Sequence, residues 1–240
     1  MRILIFLSFL FSSTFLIGQD KQNMFFVSAN YDLQIPLSDL KTDYGISSGV
    51  GFDVSMLTTE NVYWSISNSF MFGNNVNDTT ILDHLMDENR NIVDQNGQIA
   101  DITLQQRGFN SNIRLGYLHP TFNETSGIFA YGFVGFHQHK TRIDVRNTSV
   151  PQLNEDYKKI YDQLRNGLST GAFLGIMHIS QKNFTHFYAG LEYTKAFSQN
   201  RRSTNFHPVK EGNYNDSFLS FKLGWIIPIS KRSVKEFYYF

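Results

Sequence analysis

The sequence predicts an all-β protein: an eight-stranded antiparallel up-and-down transmembrane β-barrel with long outer loops that contain short helices. Three observations carry this. Six of eight candidate strands alternate apolar and polar side chains in segments of membrane-spanning length. The connections at one end are all longer than those at the other, as in outer-membrane barrels. Finally, 23 Phe and 12 Tyr among 240 residues coexist with a slightly polar mean hydropathy of −0.27. A lipid-facing apolar skin over a polar lumen and polar loops averages to that composition.

The chain opens Met1-Arg2 and then runs apolar from Ile3 to Gly18, broken only by Ser8, Ser12, Ser13 and Thr14. One positive charge, a short apolar stretch and a small residue form a secretory signal peptide pattern. Residues 1–18 are therefore expected to be cleaved, with Gln19 first in the mature chain. The barrel is expected over 19–229 and a periplasmic tail over 230–240. No later segment is long and apolar enough for a membrane helix, so insertion must be as a barrel.

In the first strand Phe25, Val27, Ala29, Tyr31 and Leu33 share one face, and Ser28, Asn30 and Asp32 the other. The second sets Val50, Phe52, Val54 and Met56 against Gly49, Gly51, Asp53 and Ser55. The third sets Val62, Trp64, Ile66, Phe70 and Phe72 against Tyr63, Ser65, Ser67 and Ser69, with Asn68 as a misfit. The fourth puts Phe109, Ile113, Leu115 and Tyr117 opposite Gly108, Asn110, Asn112, Arg114 and Gly116. Strands five (128–139) and six (168–179) are apolar on both faces, so periodicity leaves their facing open. The seventh alternates Phe187, Ala189, Leu191, Tyr193 and Phe197 with His186, Tyr188, Gly190, Glu192 and Thr194. The eighth alternates Leu219, Phe221, Leu223, Trp225 and Ile227 with Ser220, Lys222 and Gly224.

From a periplasmic N-terminus, the periplasmic turns fall at 58–61, 119–127 and 180–184. The outer loops fall at 34–47, 73–106, 140–167 and 198–216. Short helices are expected at Thr80–Asn89 and Gln152–Arg165, whose apolar positions need the barrel rim or a partner to pack on.

A soluble ligand-carrying barrel would turn its apolar face inward. Here the polar faces are mostly Gly, Ser and Asn, suited to a narrow lumen rather than to a charged exterior. Aromatics such as Tyr31, Tyr117 and Phe197 fall near strand ends, where interfacial girdles belong. Asp32, Asp53, Arg114, Glu192 and Lys222 lie on the polar faces and are expected to pair inside the lumen, since unpaired buried charge is costly. Eight strands leave no aqueous channel, so a structural plug is favoured over an ion pathway.

Chemistry is sparse. There is no cysteine, nucleotide loop, G-x-S-x-G or H-E-x-x-H, and net charge is near zero, so no cofactor and no nucleic-acid partner is implied. His137 and His139 at i, i+2 are read as interfacial histidines rather than a metal pair. His84 near Asp83 and Asp87, and Ser169 near His178, are the candidates for a rim active site, and neither spacing demands catalysis. Four N-x-S/T sequons, at Asn123, Asn147, Asn183 and Asn215, are ascribed to chance in an Asn-rich chain.

The segments 94–102 (DQNGQIADI), 106–109 (QRGF), 150–159 (VPQLNEDYKK), 161–168 (YDQLRNGL), 199–202 (QNRR) and the aromatic end Glu236–Phe240 carry a resemblance. The chain resembles small outer-membrane β-barrel proteins of the Bacteroidota, of the OmpX/OmpA barrel type. The resemblance implies a non-enzymatic accessory or structural subunit that binds other outer-membrane or periplasmic proteins, in outer-membrane protein assembly or secretion machinery. Because it is strongest in the outer loops, Tyr157, Tyr161, Arg201 and Arg202 are the expected interaction surface. Arg201-Arg202 are read either as contacts to membrane lipid and anionic lipopolysaccharide or as simply solvated. The alternative is a small-solute pore or ligand-binding barrel.

Overall fold

The computed structural model describes residues 23–123, 125–146, 149–180, 185–202 and 212–229; the expected signal peptide (1–18) and tail (230–240) lie outside them. Eight strands follow one another around a closed antiparallel barrel: β1 Met24–Leu37, β2 Ser47–Leu57, β3 Val62–Gly73, β4 Asp101–Asn123, β5 Ser126–Arg146, β6 Arg165–Ile179, β7 His186–Asn200 and β8 Asn213–Pro228. Closure pairs β1 with β8, so no strand keeps a free edge at membrane depth. Partner to partner around the ring, Met24 leads through Leu57, Tyr63, Gly116, Tyr131, Phe173, Glu192 and Ser220 to Gln34. The path returns ten residues further along β1. That stagger for eight strands gives a tilt of about 40° and a backbone radius of about 8 Å, a bore only side chains can fill.

The outer wall is an apolar belt, with Phe25, Val54, Ile113, Val134, Leu174, Leu191, Phe221 and Trp225 all exposed. A contiguous ring of such residues around a whole molecule is stable only in hydrocarbon. Asn68 does face outward, as its position in β3 requires, directly opposite Ser111. Tyr31 departs from expectation. It sits in the middle of β1 rather than at an interface, its hydroxyl 2.8 Å from Ser48 Oγ.

The facing of β5 and β6 is resolved. Phe129, Tyr131, Phe133, Phe173 and Met177 point inward, and Ile128, Val134, Phe136, Leu168 and Leu174 point out. The inward five, together with Met24, Phe26, Leu57, Tyr63, Leu118, Ile179, Tyr188 and Ile226, fill the short-turn end with packed rings and aliphatic chains. The lumen is thus less uniformly small and polar than the sequence suggested. Glycines make the room. A Cβ on Gly171 would lie 2.5 Å from Phe133 Cζ, and one on Gly224 would enter the Tyr188 ring. At the opposite end a helix, α1 (Ser38–Asp43), folds across the mouth and buries Leu40 with Tyr44, Met71 and Phe218. The lumen is packed at both ends.

Connections at 58–61, 124–125 and 180–185 are short, and those at 38–46, 74–100, 147–164 and 201–212 are long, preserving the expected asymmetry. The first turn is tight because Asn61 takes φ 64° and Val62 N–H donates to Thr58 Oγ1 (3.1 Å). The outer loops expected at 73–106 and 140–167 are shorter than that. β4 and β5 run on past their neighbours, pairing from Gln105–Arg142 up to Asp101–Arg146 as a two-stranded ribbon above the barrel. The expected loop helices are also shorter: a 3₁₀ helix Thr80–Leu85, another at Pro151–Leu153, and α2 (Glu155–Tyr161). Asn154 caps α2 by accepting from the N–H groups of Asp156 and Tyr157.

Gly224→Ala is expected to lower stability by about 1–3 kcal/mol through displacement of the Tyr188 ring. A lowered midpoint in detergent unfolding, read by the heat-dependent gel shift of folded barrels, checks it; an unchanged midpoint contradicts the packing described.

Candidate functional site

The five charges singled out in the sequence come from β1, β2, β4, β7 and β8 and meet in one layer across the lumen. Arg114 Nη1 lies 2.8 Å from Asp53 Oδ1, and its Nη2 lies 3.7 Å from Glu192 Oε2. Lys222 Nζ lies 2.8 Å from Glu192 Oε1 and 3.5 Å from Asp32 Oδ1. Each cation therefore bridges two carboxylates, in the order Asp53, Arg114, Glu192, Lys222, Asp32. Neighbouring hydroxyls donate to the acids: Ser28 Oγ (3.0 Å) and Tyr188 (2.7 Å) to Asp53, and Tyr131 (2.6 Å) to Glu192. The Arg114 guanidinium also lies over the Tyr131 ring at 4.9 Å. All five are buried, which suits a fixed plug.

Closer to the outer mouth lies a second polar layer that the sequence reading placed wrongly. His137 and His139 are not interfacial; both are fully inside the lumen. The strand was expected to end at 139, whereas β5 continues to Arg146 and turns both rings inward. An acidic partner is present too: His139 Nε2 lies 3.0 Å from Asp216 Oδ2, which also accepts from Ser198 Oγ. Asp216 and Asp43 share Arg165, at 3.8 and 2.5 Å. His137 Nδ1 contacts Asn110 Oδ1 at 2.5 Å. Among the described residues no group of three or more His, Cys, Asp or Glu is arranged to hold a metal. Asp216 was missed because it lies within residues read as loop.

Outside the barrel, the loops pack on each other. Ile81, Leu82, Ile92, Ile143, Val150, Leu153 and Tyr161 form a separate apolar core between the second loop, the β4–β5 ribbon and the third loop. Tyr161 is thereby removed from the expected interaction surface. It is buried, its hydroxyl 3.1 Å from His84 Nε2, and burial raises its pKa. Arg202 is held by Asp162 through Nε (2.9 Å) and Nη2 (3.2 Å), hydrogen bonds that raise its pKa, and Arg201 Nε donates to Asn166 (2.7 Å). Of the four expected contact residues Tyr157 and Arg201 are exposed. Instead, the surface carries a turn bounded by the bridge Val93–Ile99. Asp94 Oδ1 accepts from Asn96 and Gln98 N–H, both 2.8 Å, which lowers its pKa, and Gly97 takes φ 78°. Val93 and especially Ile99 (67% exposed) are presented on this rigid tip. Beside it a cleft of about 410 Å³ is lined by Val76, Leu82, Met86, Ile92, Ile102 and Leu104.

Neither suggested catalytic pair assembles. Ser169 points into the lumen, 3.3 Å from Asn112 Oδ1, while His178 lies on the opposite face of β6 beside Phe187. His84 belongs to the loop core through Tyr161.

No protein-family model matches the chain, and no curated protein matches it. Solved structures do. Ail, the attachment invasion locus protein of Yersinia pestis, solved in complex with the heparin analogue sucrose octasulfate, is 11% identical with a TM-score of 0.41. The match covers 87% of this chain and 100% of Ail. Neisserial surface protein A is 14% identical with a TM-score of 0.38, over 83% of this chain and 94% of that one. The eight-stranded architecture itself rests on the strand register described above.

Removing Lys222 takes away the cation paired with Asp32 and leaves Glu192 with Arg114 alone, at 3.7 Å. Lys222→Met is expected to destabilise by about 3–5 kcal/mol, and adding Glu192→Gln to recover part of that loss. Unfolding midpoints of the single and double variants check the coupling; additive losses would show that the two side chains act independently.

Proposed function

We propose that the chain is a non-enzymatic integral outer-membrane barrel whose outer platform docks another envelope protein, as an accessory subunit of a larger assembly. The carrying observation is the tip Val93–Ile99, which presents apolar side chains on a turn already ordered by Asp94. Exposed apolar groups on a rigid support bind with little ordering cost, as interface anchors do. The cleft beside the tip is lined by Ile102, Thr103 and Leu104 of β4, which pair with β5 on one side and, among the described residues, with no strand on the other. Such an edge accepts an extended segment from a partner. The resemblance to Bacteroidota barrels favours partners in outer-membrane protein assembly or secretion, reached from an outer-membrane location after export by a cleaved leader. The packed ends of the lumen weigh against the solute-pore alternative.

Affinity-tagged chain extracted in mild detergent is expected to retain specific large envelope proteins, identified by mass spectrometry. Ile99→Asp with Val93→Asp is expected to release them while the barrel keeps its heat-dependent gel shift. Recovery of a bare monomer, or retention of the same partners by the double variant, defeats the proposal. In planar bilayers the chain is expected to give no steady conductance; discrete ion channels would favour the pore.

A further inference from the structure

On the outer face of the wall, just above the apolar belt, the sequence places cations where a β-sheet normally avoids them. Arg107 on β4 and Lys140 on β5 are direct cross-strand partners, and Arg142 follows two residues above Lys140 on the same face. The pair immediately below is Phe109–Gln138, with exposed Phe109 marking the edge of the belt. Like charges directly opposite one another destabilise a strand pair. The neighbourhood does not neutralise them. Arg107 donates to Gln106 O (2.7 Å) and Gln105 Oε1 (2.5 Å), both uncharged. Lys140 reaches Asp162 at 3.6 Å, but that carboxylate is held by Arg202. Arg142 reaches Asp144 at 4.0 Å, which lies nearer to Arg146, at 3.3 Å. Glu155, Lys158 and Lys159 line the same cleft as Lys140 and Arg142, with Glu155 held by Lys158 at 3.0 Å, and Lys140 and Arg142 remain about half exposed.

We propose that Arg107, Lys140 and Arg142 form a binding site for the phosphate of an outer-leaflet lipid headgroup, as on lipid A. The height matches. Side chains two and four residues beyond the belt reach the headgroup layer, and a phosphate there accepts from guanidinium forks and an ammonium together. The acyl chains then lie down the wall over Phe109 and Phe136, both exposed. The site is independent of the protein-docking tip; it rests on the long loops facing outward.

The test is native mass spectrometry of the detergent-purified chain titrated with bisphosphorylated lipid A, with its dephosphorylated form and with inorganic phosphate alone. Bisphosphorylated lipid A is expected to bind, the dephosphorylated form to bind at least roughly tenfold more weakly, and the variant Arg107→Gln/Lys140→Gln/Arg142→Gln to lose binding to the same extent. Arg107→Lys/Arg142→Lys, which keeps the charge, is expected to retain most of it. Equal binding of the two lipids overturns the proposal, as does full binding by the neutral variant. Inorganic phosphate bound as tightly as lipid A would make this a free-anion site and overturn the lipid assignment. Should the neutral variant not fold, the comparison of the two lipids on the unaltered chain still decides.

Discussion

Hydrocarbon offers no partner for an N–H or a carbonyl, and that single constraint shapes everything below the outer rim. It requires the sheet to close, and closure of eight strands with a ten-residue stagger leaves a bore about as wide as two side chains. A bore of that width is either filled well or left as voids, since nothing larger than a side chain fits. The chain fills it by layers. Rings of Phe129, Tyr131, Phe173 and Tyr188 pack edge and face at the short-turn end. Charges cross the middle, imidazoles and carboxylates follow, and Leu40 and Tyr44 close the mouth. Glycines lie opposite the largest rings because only a missing side chain leaves room for them.

The charged layer needs its own reason, because buried ions rarely add net stability over apolar packing. Its geometry suggests specification of register. The ladder Asp53–Arg114–Glu192–Lys222–Asp32 ties β2 to β4, β4 to β7, β7 to β8 and β8 to β1. Three of these four strand pairs are hydrogen-bonded neighbours or next neighbours, but the Arg114–Glu192 link crosses the bore. A slip of one residue in any of these strands would turn a charge out into lipid. The penalty for the wrong register is therefore far larger than for an apolar filling, where a slipped strand still finds apolar surroundings.

Legibility in the sequence followed the same solvent contrast. Strands β1–β4, β7 and β8 could be read because lipid and a small polar lumen impose opposite chemistry on their two faces. The five lumen charges were legible for the same reason, each interrupting a run of Ser, Gly and Asn. β5 and β6 could not be read because Phe129, Tyr131 and Phe133 are as apolar as Val134 and Phe136. What distinguishes their faces is the space that Gly171 leaves for Phe133 and Gly190 for Phe173, each glycine on the neighbouring strand, a tertiary fact. The histidines were misplaced through the membrane-length criterion, which has no term for strands that continue into water. Tyr161 was misjudged because an outer-loop helix faces no lipid, and periodicity alone does not say what its apolar stripe packs on.

That continuation of β4 and β5 also explains why the outer surface deserves the functional weight. Loops on a barrel are ordinarily anchored only at their ends, and their tips lose order with length. Here a ribbon continuous with two wall strands rises from the membrane, and the second and third loops condense on it around Ile81, Ile143 and Tyr161. The tip Val93–Ile99 is consequently held relative to the bilayer rather than free to search. The same ribbon carries Arg107, Lys140 and Arg142 near its foot. On the two proposals made above, a protein seated on the tip would approach along an axis that the lipid headgroups help to set. Rigid backbone from membrane to tip is what makes the two surfaces parts of one oriented platform.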